Sequence, residues 1–494
     1  MLVGYERNAS GQVIAVHSNV TGTVRYSYYP GTSLVASVTD PFGDTTRYEY
    51  NARDWLTQIT YPDPDGPGPQ SPSIVRFGYD PSGNRTAVTN PLGQTTFYTY
   101  NARNQVTSIT GPDPDGDGPA RPPVTHFAYD VKGRLTSVTD PVGNVTTYRY
   151  DNADRLIEVG DPIRYQYNAA NELIAVTDRN GRTRTFAYND LGLRTEENWL
   201  DSQGQTFRTI HWTYDNAGRL IQAGDPDSSY TFTYDLAGNL TSVDNAGTPN
   251  APHLIISYAY DISGHLIERA DNRGGYTTYS YNGPLLASIN MNGAQVDFTY
   301  DAAGRISQIA RSVPAFNTQP IITTYSYDHA GRLVDIRHAQ PDRIIADFQY
   351  TFDAANRIVQ YNGPEGTLQY SYDNLGQLIG VSGARQETYS YDANGNRLYA
   401  ASPALPNGEA YYTIAPENRL LSDGTYRYEY DAEGNLIRKT RISDGQVTEF
   451  RYDYRNRVTD IVVKDAQGQV VYRTHYIYDV FDRRIATEVD ADGD

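Results

Sequence analysis

Tyr214-Asp215-Asn216-Ala217-Gly218-Arg219-Leu220 holds the end of one strand, a turn and the start of the next strand. Ahead of such turns, aromatic and β-branched residues alternate with polar ones, as in Thr231-Phe232-Thr233-Tyr234. That period belongs to a strand with one apolar face. Asp at the first turn position caps the turn through its side chain, and Gly at the fourth accepts positive φ. Asp80-Pro81-Ser82-Gly83 puts Pro second, where a type I turn needs φ near about −65°. A type I turn followed by a left-handed residue is the usual three-residue hairpin loop with a bulge. The stretch predicts a β-hairpin.

The hairpin recurs. Tyr followed by Asp or Asn stands at Tyr50, Tyr79, Tyr100, Tyr129, Tyr150, Tyr167, Tyr188, Tyr214, Tyr234, Tyr260, Tyr281, Tyr300, Tyr327, Tyr372, Tyr391, Tyr430, Tyr452 and Tyr478. With Phe352 substituting once there are 19 copies, spaced 17 to 39 residues apart, within the range of repeat architectures. The full Tyr-Asp-x-x-Gly form occurs at Tyr79, Asp80 and Gly83, at Tyr129, Asp130 and Gly133, and at Tyr214, Asp215 and Gly218. It occurs again at Tyr234, Asp235 and Gly238, at Tyr300, Asp301 and Gly304, and at Tyr327, Asp328 and Gly331, among others. At the fourth turn position 11 copies have Gly and seven have Asn or Asp (Asp54, Asn104, Asp154, Asn171, Asn356, Asn456 and Asp482). Those are the residues that best tolerate a left-handed backbone when Gly is absent. Only Leu285 departs. Thr39-Asp40-Pro41, Thr89-Asn90-Pro91 and Thr139-Asp140-Pro141, 50 residues apart, add a second-order repeat that points to duplication of a two-hairpin block.

Two side-chain expectations follow. The recurrent Tyr reads as a cross-strand ladder, because aromatic cross-strand pairs stabilise a sheet wherever they recur. The Arg after the turn Gly (Arg134, Arg219, Arg305 and Arg332) reads as a partner for the Asp of its own turn, a registry device worth about 0–1 kcal/mol if exposed. In the outgoing strand the apolar residues sit three apart, as Leu135 and Val138 or Leu240 and Val243. Either a bulge or apolar contacts on both faces accounts for that spacing.

Composition agrees with a sheet wetted on at least one face. The 494 residues include 44 Tyr, 42 Gly and 27 Pro but two Met and no Cys, so little aliphatic mass is available for a thick core. Without Cys there are no disulfides or thiolate metal sites. The formal charge of −18 argues against nucleic acid or an anionic membrane as the main partner. No apolar run is long enough to be a transmembrane segment. Met1-Leu2-Val3-Gly4-Tyr5-Glu6-Arg7 lacks the order of a signal peptide. The chain opens within the repeat pattern and stops in the polar turn Asp490-Ala491-Asp492-Gly493-Asp494, so a fragment of a longer protein is expected.

Hairpins in tandem with short connections predict an all-β fold, one long antiparallel sheet that must curl, close or spiral. The Pro-rich segments at Tyr61–Pro67 and Gly111–Gly116 read as surface loops between hairpins. With little compositional change along the chain, residues 1–494 read as a single continuous repeat domain, partial at both ends.

Tyr-Asp-x-x-Gly-Arg-Leu with intervening Thr-Asp-Pro-x-Gly-x-Thr-Thr-x-Tyr-x-Tyr resembles the RHS/YD-repeat family over about residues 5–489. That family includes bacterial Rhs polymorphic toxins, the BC component of insecticidal toxin complexes, wall-associated proteins and the teneurin YD shell. The resemblance implies a spiral sheet wound into a hollow shell, secreted or at the cell surface. In toxin members the shell holds an unfolded C-terminal toxin; in teneurins it presents adhesive surfaces. Toxin members end the shell in Asp-Pro-x-Gly-Leu, an autoprotease motif. Here Asp40-Pro41-Phe42-Gly43 and Asp140-Pro141-Val142-Gly143 lie early, lack the Leu and read as type I turns.

The sequence shows little chemistry. The eight His are scattered, and no nucleophile elbow, Walker loop or dinucleotide fingerprint is present, so neither catalytic residues nor a cofactor are assigned. Asp113-Pro114-Asp115-Gly116-Asp117-Gly118 matches the first half of a calcium loop, yet the twelfth position is Val124 rather than a bidentate carboxylate. Asp113, Asp115 and Asp117 are the one metal candidate, against a plain Pro/Gly turn. The expectation is a non-catalytic shell scaffold enclosing its own C-terminal effector. The alternatives are an adhesion module for cell-surface glycan or protein and a carbohydrate-active or autoproteolytic enzyme.

Overall fold

The computed structural model describes residues 3–249, 251–313, 319–405 and 407–492, so Gly493 and Asp494 of the acidic terminal turn lie outside the described residues. The described residues form 45 β-strands and one 3-10 turn, Pro416–Asn418. They pack into two compact units. The first comprises Met1–His126, Thr277–Gly395 and Ala401–Pro406, and the second Phe127–Tyr276, Asn396–Ala400 and Asn407–Asp494.

In both units strands pair antiparallel with the next strand in the chain. In the second unit one ladder runs unbroken from Leu135–Thr139 to Leu266–Asp271. Another joins Thr413–Ala415 through to Arg484–Asp490. This is a nearly all-β chain of long antiparallel sheet.

A bulge explains the three-residue apolar spacing. Where Ser228–Tyr234 meets Leu240–Asp244, Phe232 faces Val243, Thr233 faces Ser242 and Tyr234 faces Leu240, with a register shift between Thr233 and Tyr234. The shift leaves Thr241 as the extra residue, so Leu240 and Val243 both return to the aromatic face. The same shift recurs at Tyr327, which faces Leu333 while Tyr325 faces Ile336. The aromatic ladder is thus mostly aromatic against Leu, Ile or Val across the strand pair, rather than ring against ring.

Within each unit a later stretch of hairpins lies against the loops of an earlier one. In the first unit the His329 N–H donates to the Pro64 carbonyl at 3.1 Å, and the Asn374 N–H to that of Pro114 at 3.0 Å. Ser73 Oγ donates to the Ala354 carbonyl at 2.7 Å. In the second unit the Val480 N–H donates to Ser228 Oγ at 2.9 Å, and Tyr454 Oη to the Leu200 carbonyl at 2.6 Å. The buried cluster of the second unit, Trp199, Ile210, Ala223, Tyr230 and Val480, forms at this contact. That of the first unit, Tyr361, Leu368 and Val381, lies within neighbouring strands.

Candidate functional site

The Tyr-Asp turn is the repeated chemical unit. Asp215 Oδ1 accepts the N–H groups of Ala217 and Arg219, each at 2.9 Å, and its Oδ2 accepts Arg219 Nε at 2.7 Å. The Gly218 N–H closes the turn onto the Asp215 carbonyl at 2.9 Å. Asp130, Asp301 and Asp328 hold Arg134, Arg305 and Arg332 in the same way. The fifth position need not be Arg, since Asn84 and Asn239 place Nδ2 on Asp80 and Asp235 at 2.8 and 2.9 Å. The Arg219 backbone N–H, with the guanidinium behind it, holds the Asp215 carboxyl below the usual carboxylate range against the opposing effect of burial.

The fourth-position residues take the left-handed backbone throughout. The N–H groups of Gly133 and Gly331 close their turns onto the Asp130 and Asp328 carbonyls, each at 2.9 Å. Their φ angles are 87° and 78°. Gly83, Gly238 and Gly304 close onto Asp80, Asp235 and Asp301 at 3.1, 3.1 and 3.0 Å. The 18 fourth-position Gly, Asn and Asp residues all have φ between 59° and 90°. A Cβ on Gly331 would stand 3.4 Å from Arg305 Nη1 of the preceding turn, an ordinary contact, so its φ alone favours glycine there. These glycines serve the turn backbone and offer no side chain for binding a ligand. At the Leu285 copy, Asn282 pairs directly with Leu285 across Gly283-Pro284, so the turn is one residue shorter and needs no left-handed fourth residue.

The same side chains bind hairpin to hairpin. Arg219 Nη1 donates to the carbonyl of Asp235, the first residue of the next turn, at 3.2 Å, and the guanidinium stands 4.9 Å from the Tyr234 ring centre. Tyr234 Oη in turn donates to the Leu220 carbonyl at 2.8 Å. Arg134, Arg332, Arg357 and Arg457 reach the next turn's carbonyl in the same way. The hydroxyls of Tyr79, Tyr300 and Tyr327 land on the carbonyls of Leu56, Leu286 and Ile306. The Arg is therefore more than an exposed partner within one turn. Arg332 and Arg457 side chains are only 9% and 11% exposed, so they are not open to the full solvent screening of a surface pair.

The tip at Pro416–Asn418 carries no Tyr-Asp signal. Around Pro416–Asn418 both Glu417 and Asn418 are left-handed, with φ of 62° and 60°. Tyr430 Oη then donates to the Leu420 carbonyl at 2.9 Å, as the Tyr of the other repeats do. Asn418-Arg419-Leu420, standing where Gly-Arg-Leu stands elsewhere, is the signal that identifies this tip.

A buried carboxylate with several cationic neighbours lies in the second unit. Glu197, 1% exposed, receives Arg455 Nε and Nη2 at 3.0 and 2.9 Å and Trp199 Nε1 at 2.9 Å. Arg184 and Arg194 stand 3.5 Å away. Burial alone raises its carboxyl, but hydrogen bonds and charge from Arg455 outweigh that and hold it below the ordinary range. A carboxylate engaged in this way clamps a strand to a hairpin turn and is not poised to take up a proton near neutral pH.

Asp113, Asp115 and Asp117 are not brought together around a cation position. The Asp115 carboxylate accepts the Ala120 N–H at 3.1 Å, the Asp113 carbonyl accepts Asn374 Nδ2 at 2.8 Å, and Asp117 is exposed. The segment is a loop braced on the Asn374 tip. Among the described residues no group of three His, Cys, Asp or Glu side chains is placed to hold a metal. Asp40 and Asp140 are used by their own turns, accepting the N–H groups of Phe42 and Asp44 and of Val142 and Asn144. No helix of the described residues is long and apolar enough to cross a membrane.

Comparison with known proteins places this architecture. The RHS Repeat model matches residues 29–65, 79–115 and 129–162, and the Teneurin YD-shell model matches 158–290 and 354–493, more than half of the chain. The chain is 26% identical over 362 residues to the double-stranded DNA deaminase toxin A of Burkholderia cenocepacia, covering 65% of this chain and 24% of that protein. It is 28% identical over 222 residues to the probable deoxyribonuclease RhsB of Dickeya dadantii, covering 35% of this chain and 15% of that one. The chain thus spans about a quarter or less of the length of these relatives. The crystal structure of TcdB2-TccC3-Cdc42 shares the fold with a TM-score of 0.77 at 16% identity, over 98% of this chain and 29% of that one. With its repeated Tyr-Asp hairpins and these matches, the chain belongs to the teneurin YD-shell family and carries RHS repeats.

Proposed function

We propose that this chain is a non-catalytic scaffold, one continuous run of YD repeats forming the wall of a shell around an effector carried on the same polypeptide. The observation that carries this reading is the diversity of its relatives. One is named a deaminase toxin and another a probable deoxyribonuclease, yet both align with this same repeat-bearing chain. Activities that differ across a shared stretch are best accounted for by residues outside it. The geometry agrees, since the turn carboxylates and Glu197 are engaged in holding strands together. The reading requires no cofactor and implies a secreted or surface location.

The test is limited proteolysis of the full reading frame that contains this chain. Protection of an unrelated C-terminal domain until the wall is breached is the expected result, and immediate digestion of that domain beside an intact wall overturns the reading. The family model's teneurin name supports one rival, adhesion to glycan or protein. Specific binding on a glycan array or to cells, with no protected domain, decides for that rival. New reducing ends from a polysaccharide incubated with the chain overturn the non-catalytic assignment itself.

A further inference from the structure

Glu197 has three guanidinium groups around it and bonds only one. Its Oε1 takes Trp199 Nε1 and Arg455 Nε, and its Oε2 takes Arg455 Nη2. On the strand pair Thr183–Tyr188 and Arg194–Leu200, Phe186 faces Glu197, Arg184 faces Trp199 and Tyr188 faces Arg194. Strand alternation puts Arg184 and Phe186 on the face that carries Glu197. The register shift ahead of Tyr188 makes Thr195 the extra residue and returns Arg194 to that face. Arg184 Nη1 and Arg194 Nη1 thus each come within 3.5 Å of one Glu197 oxygen, without donating a hydrogen bond to it. Neither has another carboxylate partner among the described residues. Phe186, 8% exposed, supports both, the guanidinium of Arg194 standing 4.2 Å from its ring centre and that of Arg184 6.0 Å. Stacking at the shorter distance orients the guanidinium plane and leaves its edge N–H groups free to donate.

Both guanidinium groups line an open pocket of about 570 Å³, beside Trp212 and Phe481. Its other walls come from the tips that carry Arg455 and Val480. Those tips are docked on strands of this same unit, Tyr454 Oη on the Leu200 carbonyl at 2.6 Å and the Val480 N–H on Ser228 Oγ at 2.9 Å. The pocket therefore lies within a packed contact and not along a free edge. Arg184, Arg194 and Arg455 face Glu197 and Asp482 there, one positive charge in excess. Asp482 Oδ1 is taken by Arg455 Nη1 at 2.8 Å and Arg457 Nη1 at 2.9 Å. The donors left unspent are those of Arg184 and Arg194, a positive recess in a chain of formal charge −18.

We propose that Arg184 and Arg194 bind a tetrahedral oxyanion, phosphate or sulfate, in this pocket. Guanidinium forks match such oxygens with paired, charge-assisted hydrogen bonds. Two forks arriving from different strands need acceptor oxygens that point in more than one direction. A tetrahedral oxyanion has them, and a planar carboxylate does not. The rings of Trp212 and Phe481 offer an apolar wall for the organic part of an ester. The inference concerns this unit by itself and does not depend on enclosure of an effector.

Thermal melting of the purified 494-residue chain in sodium phosphate, sodium sulfate or phenyl phosphate tests this, with ionic strength held constant by sodium chloride. A saturable rise in melting temperature is expected with each. Half-saturation at a lower concentration of phenyl phosphate than of inorganic phosphate identifies an ester as the occupant, and the reverse order identifies the free ion. Arg184→Met and Arg194→Met are each expected to raise the half-saturating concentration about tenfold or more, the loss of one fork's charge-assisted hydrogen bonds. Arg184→Lys keeps the charge and the fold without the fork, and its loss should fall between. Isothermal titration calorimetry of the unaltered chain is expected to give one phosphate per chain. General stabilisation by these salts rises without saturating and acts on every variant alike. A rise that never saturates, no saturable heat, or a saturable rise undiminished by Arg184→Lys and by Arg184→Met with Arg194→Met overturns the proposal.

Discussion

Arg455 grips Glu197 with two nitrogens, Nε at 3.0 Å and Nη2 at 2.9 Å, across 258 residues of chain. Glu197 is on the strand Arg194–Leu200 and Arg455 in the turn after Val447–Tyr452, so the ion pair exists only once the two stretches of the second unit have packed. Removing Arg455 takes two direct donors from buried Glu197 and leaves it Trp199 Nε1 at 2.9 Å and the more distant Arg184 and Arg194 at 3.5 Å. Arg455→Met is expected to destabilise the second unit by about 3–5 kcal/mol, while Glu197→Met combined with Arg455→Met recovers most of that loss. Urea unfolding followed by tryptophan fluorescence checks this, because Trp199 donates to the same carboxylate.

The Tyr hydroxyl supplies a bond that a Phe ring cannot. Tyr214→Phe and Tyr234→Phe each remove one bond to a carbonyl of the preceding hairpin and are expected to cost about 1 kcal/mol, with the ring packing retained. Equal stability of Tyr234→Phe and the unaltered chain in denaturant titrations contradicts the hydroxyl's role.

Gly238 and Gly304 share the left-handed conformation but differ in surroundings. A Cβ on Gly238 meets nothing within 4 Å, whereas one on Gly304 sits 2.9 Å from Thr21 Cγ2. Gly238→Ala is expected to cost about 1–2 kcal/mol from backbone strain alone. Gly304→Ala should cost more, because Thr21 must also move. Asn356→Gly, at φ 63°, should be close to neutral. Chemical denaturation of the three variants gives the ranking.

Acid should loosen the turns together. Asp130, Asp151, Asp215 and Asp261 are each held below the ordinary carboxylate range, chiefly by the backbone N–H of the fifth turn residue. Their unfolded values lie near about 3.9, so their stabilisation is complete above that pH and is lost as pH falls through the lower folded values. The unfolded chain binds more protons in that window. The melting temperature is expected to fall steeply below about pH 4, with proton uptake on unfolding measurable by calorimetry in buffers of different ionisation heat.

Calcium should leave the chain unmoved. With Asp115 occupied by the Ala120 N–H and Asp117 in solvent, millimolar calcium is expected not to shift the melting temperature. A saturable upward shift, abolished by Asp113→Asn with Asp117→Asn, contradicts that expectation.

What the sequence determined by itself was local. A left-handed fourth residue is a requirement of the backbone at one position, so Gly133, Gly218, Gly331 and Asn456 can be read without knowing their neighbours. The alternation in Thr231–Tyr234 marks a strand face for the same reason, and so many copies carry the family resemblance. The Leu240–Val243 spacing left two explanations open, and the Thr241 bulge decided between them only through pairing with the strand before it.

The partners of the side chains were decided by tertiary structure. Nothing around Tyr234 names Leu220 as the acceptor of its hydroxyl, and nothing around Arg219 names the Asp235 carbonyl, because both bonds cross from one hairpin to the next. The tip at Glu417 and Asn418 escaped a Tyr-Asp reading because its backbone is held by layer contact, Asn144 Oδ1 accepting the Glu417 N–H at 3.1 Å, rather than by a turn-opening Asp. Glu197 reads as one surface-type acid in a polar strand, and only packing against Arg455 removes it from water. Hairpins are encoded within about ten residues; which hairpin lies on which is set by contacts some 250 residues apart, such as the 252 between Ser228 and Val480, where only the folded chain brings the two together.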